Sequence, residues 1–536
     1  MMRNSRIILC QGINVDRDYV NVLSYSESEM LELCETNAIA SSNTYSFLDM
    51  SKGIIYSGFD YNTCLQANYI AFQNSDYSNK WFFAFVDDVI YKGDKNTEIR
   101  FTVDSWSTWF DYWTTKTCFV SREHVDDDTI GKHTVPEDID VGEVICDNIN
   151  RSQDMSNNGY LGVFTNYIPG AMNSWAYEPG QKINRIITGS VLVLFDISSS
   201  TDMLYFELFL RRANKDNKID DIKNICFIPY TVIPATDIYT GQFEWDDGQT
   251  TPLTATYKRI LNSNTAWTES ISFSKPLTFT GFTPKNNKLF VYPTNYLVIS
   301  NNNGEENILK IENFSGANCT FTNEFAITIG GSGRMYPTNY RGLSKDIDSG
   351  VTLGKLPTFE WSSDAFTNWL TQNAVNNQIN LLETAISASK NAIQGNILGA
   401  AETIANKALH SYGSFYEAKL LPNKVAGSNT GDVSFSNAET NYMIRRFRPK
   451  DEYLQIIDDY FTRFGYKINR VKLPNITGRL NFNYVEIGQN DEIGQGNIPF
   501  KYMEEINQAA RKGVTIWHNH ENIGNFSVTN TIVTPS

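Results

Sequence analysis

Residues 80–104, KWFFAFVDDVIYKGDKNTEIRFTVD, decide the fold class. An aromatic run meets the turn residues Gly-Asp-Lys-Asn, and beyond them Ile99, Phe101 and Val103 alternate with charged or hydroxyl residues up to Asp104. Successive side chains of a strand point to opposite faces, so period two beside such a turn predicts a β-hairpin. Directly after it, DSWSTWFDYW places Asp104 or Ser105 where a helix N-cap sits, with Trp106, Trp109 and Trp113 three and four residues apart. That spacing predicts a short helical turn whose tryptophans form one face and anchor the hairpin in a core; stacking on carbohydrate is the rival use of such rings.

Outward from the hairpin, residues 145–345 repeat short apolar runs, GSVLVLFDI, MLYFELFLRR, KLFVYP, YLVIS and FAITIGG, between turn-rich segments. This predicts strands of a sandwich or barrel with insertions, with loops or linkers at 147–160 and 300–306. At about residue 361 the character changes. A proline-free stretch then predicts a long helix near 362–410, with Ile379, Ile386 and Ile393 seven residues apart and Leu382 between them. From Asn391 it loosens into Ala, Gly, Ile and Leu, interrupted by Glu402 and Lys407, a segment able to lie on a membrane only conditionally. After a short helical piece, DEYLQIIDDYFTRFGY, the strand signals return in YKINRVKLP, GRLNFNYVEI and GVTIWHNHE. The expected class is mainly β, of sandwich or barrel type, and α+β overall.

The 536 residues exceed what one hydrophobic core supports, so several packed units are expected. Aromatics at 13% against 20% charged residues favour strands. A formal charge of -15 argues against a nucleic-acid binder, which needs clustered Lys and Arg, although an acidic wall would let DNA slide past. The apolar run near the N-terminus is too short for a signal-peptide core, and no uninterrupted apolar stretch is long enough for a membrane-spanning helix, so a soluble chain is expected. Cysteines 10, 34, 64, 118, 146, 226 and 319 form no CxxC pair and read as buried small hydrophobes.

Chemistry-bearing motifs are sparse, and neither an enzyme nor a cofactor or metal is expected. GGSGRMY at 330–336 lacks the Lys-Ser/Thr of a phosphate loop and reads as a turn. His518 and His520 would share a face of an edge strand, where a metal would need a third ligand. His124 and His133 bracket Asp126, Asp127 and Asp128, which could attract calcium, although a self-solvated loop is the default reading. Asp458 and Asp459 diverge on a helix and make no glycosidase pair.

The run from Asp60 to Glu143 has a specific order: an asparagine-rich aromatic strand, the hairpin, D-x-W-x-x-W, F-V-x-R-E-H-V, G-K-H, P-E and G-E. It resembles the tail-knob proteins of small short-tailed phages, the phi29-like podoviruses. The second half is similar in layout, with a W-x-x-D helix, a small-residue region, an SGD-like step at Asn429–Asp432, and Y-M-I-R-R-F-R-P. The resemblance implies a virion protein of the distal tail, made in the host cytoplasm, that forms a homohexameric tube. Its partners would be other tail proteins (the upper collar or connector and the appendages), the host membrane, and viral DNA passing through the lumen without specific binding.

The same resemblance implies apolar loops that plug the lumen and later penetrate the host membrane. In this chain they map to about residues 391–425, with Ile393, Ile397, Leu398, Ile404, Leu409, Phe415, Leu420 and Leu421 as apolar contacts. The expected domains are an N-terminal tube domain at 1–165, a β-rich outer insertion at 166–345, the helix and tip loop at 346–440, and a C-terminal part at 441–536 that completes the tube. A tail-tip adhesin binding a cell-surface glycan is the rival function, drawn from the abundance of Trp and Tyr.

Overall fold

The computed structural model describes residues 5–151, 159–169, 182–196, 198–230, 233–246, 252–260, 263–264, 267–301, 304–325, 332–355, 358–359 and 443–533. They form two compact units: Met1–Val144 with Thr278–Thr294 and Pro449–Ser536, and Ile145–Leu277 with Asn295–Arg448. The long helix, the tip loop and all eight apolar contacts from Ile393 to Leu421 lie outside the described residues.

The first unit is built on the predicted hairpin. Trp81–Gly93 and Asn96–Val103 pair antiparallel, and Gly93 faces Asn96 across the two-residue turn Asp94-Lys95. These strands lie within a seven-stranded sheet of order Ala38–Ser42, Ser5–Cys10, Tyr69–Asn74, Trp81–Gly93, Asn96–Val103, Ile54–Ser57, Phe47–Asp49. Its two edge strands are joined by residues 43–46 alone, a link that spans at most about 18 Å. The sheet therefore curls until its edges approach, and its concave side encloses Ile7, Leu9, Ile70, Phe72, Phe82, Ile99 and Phe101. The other face, carrying Ile8, Tyr69, Phe83 and Phe85, packs on Phe482 and Trp517 of a second sheet, with Met30 and Cys34 filling the side.

That second sheet has the order Asn21–Leu23, Val514–Trp517, Phe482–Ile487, Cys118–Glu123, Tyr466–Lys472, so both ends of the chain supply strands to it. Its outer face, with Val120, Val485, Ile487 and Ile516, is closed by Trp106 and the helix Phe500–Lys512 through Ile506 and Ala510. Asp104 is the N-cap of the short helix Ser105–Trp109, accepting from the Ser107 amide at 3.1 Å. Trp106 and Trp113 are buried edge to face with centroids 5.4 Å apart, as core anchors. The single tryptophan face is corrected: Trp113 opens a strand, and Trp109 stands against Phe82 and Tyr502.

The second unit holds a six-stranded sheet of order Tyr239–Trp245, Leu253–Ile260, Val191–Asp196, Gly159–Thr165, Ile222–Pro229, Thr358–Phe359. One face is covered by the helix Ser200–Lys215 through Phe206, Phe209, Leu210 and Ala213. The other shares a core with the strands Thr268–Ser274, Asn318–Phe325, Ser332–Tyr340, Tyr296–Ser300 and Met443–Pro449.

Several local expectations are corrected. MLYFELFLRR is helical, because Ser199 accepts from the Asp202 amide at 3.1 Å and Glu207–Arg211 and Arg212–Asp216 pair one turn apart. KLFVYP is a 3₁₀ turn at Asn287–Phe290, with the Thr294 hydroxyl donating to the Leu289 and Val291 carbonyls. Residues 332–336 of GGSGRMY are strand, paired on both sides, and 147–151 belong to the strand Val144–Arg151. Cys146 is exposed, whereas Cys10, Cys34, Cys64, Cys118 and Cys319 are buried. The helices Glu27–Thr36 and Phe500–Lys512 were not anticipated.

Candidate functional site

The segments F-V-x-R-E-H-V, G-K-H and P-E fold onto one buried polar joint of the first unit, at the end of the strand Cys118–Glu123. Arg122 donates to the Gly465 carbonyl at 2.9 Å and pairs with Glu137. Glu137 also pairs with Lys288 and accepts from the Lys467 amide at 2.8 Å. The Lys288 and Glu137 side chains are 3% and 4% exposed, so this ion pair is fully desolvated. Burial pushes the Lys288 ammonium down, against the opposing pull of Glu137. Lys288 also sits over the Tyr466 ring, 5.3 Å from its centroid.

Glu123 is fully buried, paired with Lys472 and accepting from the Asn475 amide at 2.8 Å; burial pushes its carboxyl up. His124 lies between two strands and a helix. Its Nδ1 accepts from the Tyr484 amide at 2.7 Å and its Nε2 donates to the Thr462 carbonyl at 3.0 Å, which fixes a neutral ring. Burial first, and the nearby Arg479 charge second, bring its pKa down to about 3. Asp128 accepts from Tyr466 Oη at 2.7 Å and the Asn287 amide at 3.1 Å, while Asp127 pairs with Lys132 and takes Thr129. Asp127 and Asp128 are thus spent on internal bonds.

Asp458 and Asp459 do diverge. Asp458 is buried and accepts from the Lys285 and Asn286 amides at 2.9 and 3.0 Å, pinning the 278–294 segment, and Asp459 faces Lys285. Beside the joint a cavity of about 120 Å3 is lined by Glu123, Asp126, Lys132, His133, Lys467, Arg470 and Lys472. Its three lysines are already paired with Asp127, Asp138 and Glu123, so it is a solvated flank rather than a receptor for an anion.

The two remaining motif segments also serve as joints. Gly142, at φ +68°, lies against the Tyr453 ring, where a Cβ would come within 2.3 Å of a ring carbon, and Glu143 pairs with Lys450. In the second unit, Arg446 and Arg448 of the R-R-F-R run converge on Asp147 at 3.5 and 3.0 Å. His518 is corrected: the strand stops at Trp517, and the ring bridges Ser24 Oγ at 2.7 Å and Asn483 Oδ1 at 3.0 Å. His520 opens a 3₁₀ turn. Sequence reading missed Glu137 and Lys288 as partners, since 151 positions separate them. The P-E pair was the available signal.

Residues 3–114, which hold the curled sheet, match the N-terminus of the caudoviral major tail protein, the fold of a phage tail protein. The solved structure of the bacteriophage C1 tail knob protein gp12 shares that fold, with a TM-score of 0.67 at 15% identity over 99% of this chain and 100% of that one. Residues 256–531, just over half of the chain, match the family described as the Bacillus phage phi29 tail knob protein gp9, C-terminal domain, and the chain belongs to that family.

Among its relatives, the tail knob protein gp9 of Bacillus phage phi29 is 25% identical, covering 87% of each chain. That of Bacillus phage B103 is 21% identical, covering 88% of each. The chain is a structural protein of the phage tail, a distal component of the virion made in the host cytoplasm, in a family not known to be enzymatic.

Proposed function

We propose that six copies of this chain close into the distal tail tube through which the genome leaves the virion, and that residues 391–425 plug the lumen and then penetrate the host membrane. The observation that carries this reading is the mixed sheet of the first unit, in which strands from both ends of the chain pair with one another beside a curled, tail-protein-like sheet. Such a wall holds its own edges in register and leaves the intervening chain available for a tip. The formal charge of -15 supports passage without capture, because phosphates find no net attraction on the wall. Other tail proteins would hold its upper end.

In the closed tube Ile393, Ile397, Leu398, Ile404, Leu409, Phe415, Leu420 and Leu421 would satisfy one another across the six copies, and on release they would partition into lipid. No described helix is long and apolar enough to cross a membrane. The test is electron microscopy of the purified chain with dye release from anionic liposomes. Six-fold rings, with leakage that disappears when residues 391–421 are deleted, are expected. Rings whose leakage survives the deletion would remove the plug from the reading, and monomers that do not leak would remove the conduit.

A further inference from the structure

Two hairpins of the second unit carry the same kind of tip. Ile183 pairs with Ile186 across Asn184-Arg185, and Tyr340 pairs with Leu343 across Arg341-Gly342, with both turn residues at positive φ in each case. Turns of that hand match the twist of the flanking strands, and each places an arginine at its tip. On and beside the tips Ile187, Leu343 and Ile347 are 69%, 52% and 46% exposed, and Ile186 is 36% exposed. Tyr336 and Glu324 hold the Lys345 ammonium up and the Arg185 charge opposes them, so the two hairpins are neighbours.

Among the described residues Arg185, Arg334 and Arg341 make no ion pair with a carboxylate. Arg185 Nε donates to the Asn264 carbonyl at 3.2 Å, Arg334 donates to the Ile347 carbonyl at 2.8 Å, and Arg341 stands over the Tyr340 ring and reaches Ser349 Oγ at 3.5 Å. Of the carboxylates beside them, Glu324 takes Lys345 at 3.8 Å and the Tyr336 hydroxyl, Asp346 is buried and accepts from Ser349, and Asp348 is exposed. Three arginines thus stay without a counter-charge among exposed aliphatic side chains, in a chain whose formal charge is -15. The residues at the base of the hairpins, Ile183, Met335 and Tyr340, share one core with Ile444 of the strand Met443–Pro449. The stretch that holds residues 391–425 is bounded by that strand and by Thr358–Phe359 of the same unit, so this unit is carried to whatever surface the segment enters.

We propose that the tips of these two hairpins dock the second unit on the surface of an anionic lipid bilayer, with Arg185, Arg334 and Arg341 meeting headgroup phosphates and Ile186, Ile187, Leu343 and Ile347 lying among the acyl chains beneath. This rests on the reading that the chain meets the host membrane, and it adds a contact that needs no release of residues 391–425. The planar fork of arginine suits phosphate oxygens. The aliphatic side chains favour a bilayer over a soluble polyanion, which offers them nothing to enter. Docking would hold the unit at the surface before the segment enters, and it would weaken as salt screens the surface charge.

The test is co-sedimentation of the full chain with vesicles of equal parts phosphatidylglycerol and phosphatidylcholine, against vesicles of phosphatidylcholine alone, with dye release read from the same samples. The wild type is expected to bind the anionic vesicles without leakage while the segment is withheld. Arg341→Glu with Leu343→Ser, and separately Arg185→Glu with Ile187→Ser, should each lower the partition coefficient at least about tenfold, with circular dichroism, melting and mass photometry unchanged. Lys95→Glu makes the same change of charge on the exposed hairpin turn of the first unit and should bind as the wild type does. A wild type that ignores anionic vesicles, or folded variants that bind like it, would overturn the docking, and leakage in those samples would leave the plug of residues 391–425 standing. Binding that is lost in the variants while no chain ever leaks would keep the docking and remove the plug. Variants that change assembly while binding vesicles as before would assign the patch to a contact between copies and overturn the docking. If one double variant fails to fold, the other alone decides.

Discussion

Glu137 holds two buried cations, Arg122 and Lys288, whose side chains are 11% and 3% exposed. Removing the charge leaves both desolvated, so Glu137→Gln is expected to lower stability by about 3–5 kcal/mol, read from urea unfolding; a loss below about 1 kcal/mol would show that the cations find water. His124 makes a prediction in pH. Its pKa is depressed in the fold, to about 3, so the ring folds neutral. The stability this contributes is therefore present above the ordinary value of about 6.5 and is lost as the pH falls below it, amounting to about 2 kcal/mol at pH 5. The fall in unfolding free energy from pH 7 to pH 5 should be smaller by that amount in His124→Gln than in the wild type, and an equal fall in both would mean that the ring is already solvated. None of this could be read from the sequence, where His124 stood beside an acidic turn whose default reading was a self-solvated loop, with calcium as the alternative.

At the scale of elements, legibility followed local information. The hairpin and its Asp104 cap were legible because period two and the capping position lie within a few residues. The helix Glu27–Thr36 was equally local, since Ser26 and Glu29 form a reciprocal capping box. Ser26→Ala should cost about 1 kcal/mol, seen as a lower thermal midpoint, with Ser26→Gly nearer to wild type. The helix Ser200–Lys215 was misread because an apolar run of four to eight residues fits a strand or a buried helix alike, and the i,i+4 ion pairs alone distinguish them. Trp106 belongs to the hairpin's anchor. With its ring fully buried, Trp106→Ala should cost about 3–5 kcal/mol, and a cost near zero would revive an exposed, sugar-stacking role.

For the whole molecule, the ring reading predicts sensitivity to salt, because every copy carries a formal charge of -15. Raising ionic strength from 0.15 M to 1 M shortens the screening length from about 8 to 3 Å, so repulsion between copies falls and half-assembly should require less protein in high salt. Half-assembly that required more protein in high salt would show that attraction between opposite charges holds the ring, and mass photometry across a salt series distinguishes the two.

By itself the sequence determined the strand-rich class, the hairpin and its cap, the helix Asp451–Phe464 and the strands after it, and the family through motif order, because each is set by a few adjacent residues. Only the tertiary structure decided that Val120 lies opposite Ile487 and Arg470, that residues 278–294 belong with the chain's two ends, and that Glu137 meets Lys288. Register and ion pairing between distant segments depend on the sum of all packing contacts, and a linear pattern of residues does not encode that sum.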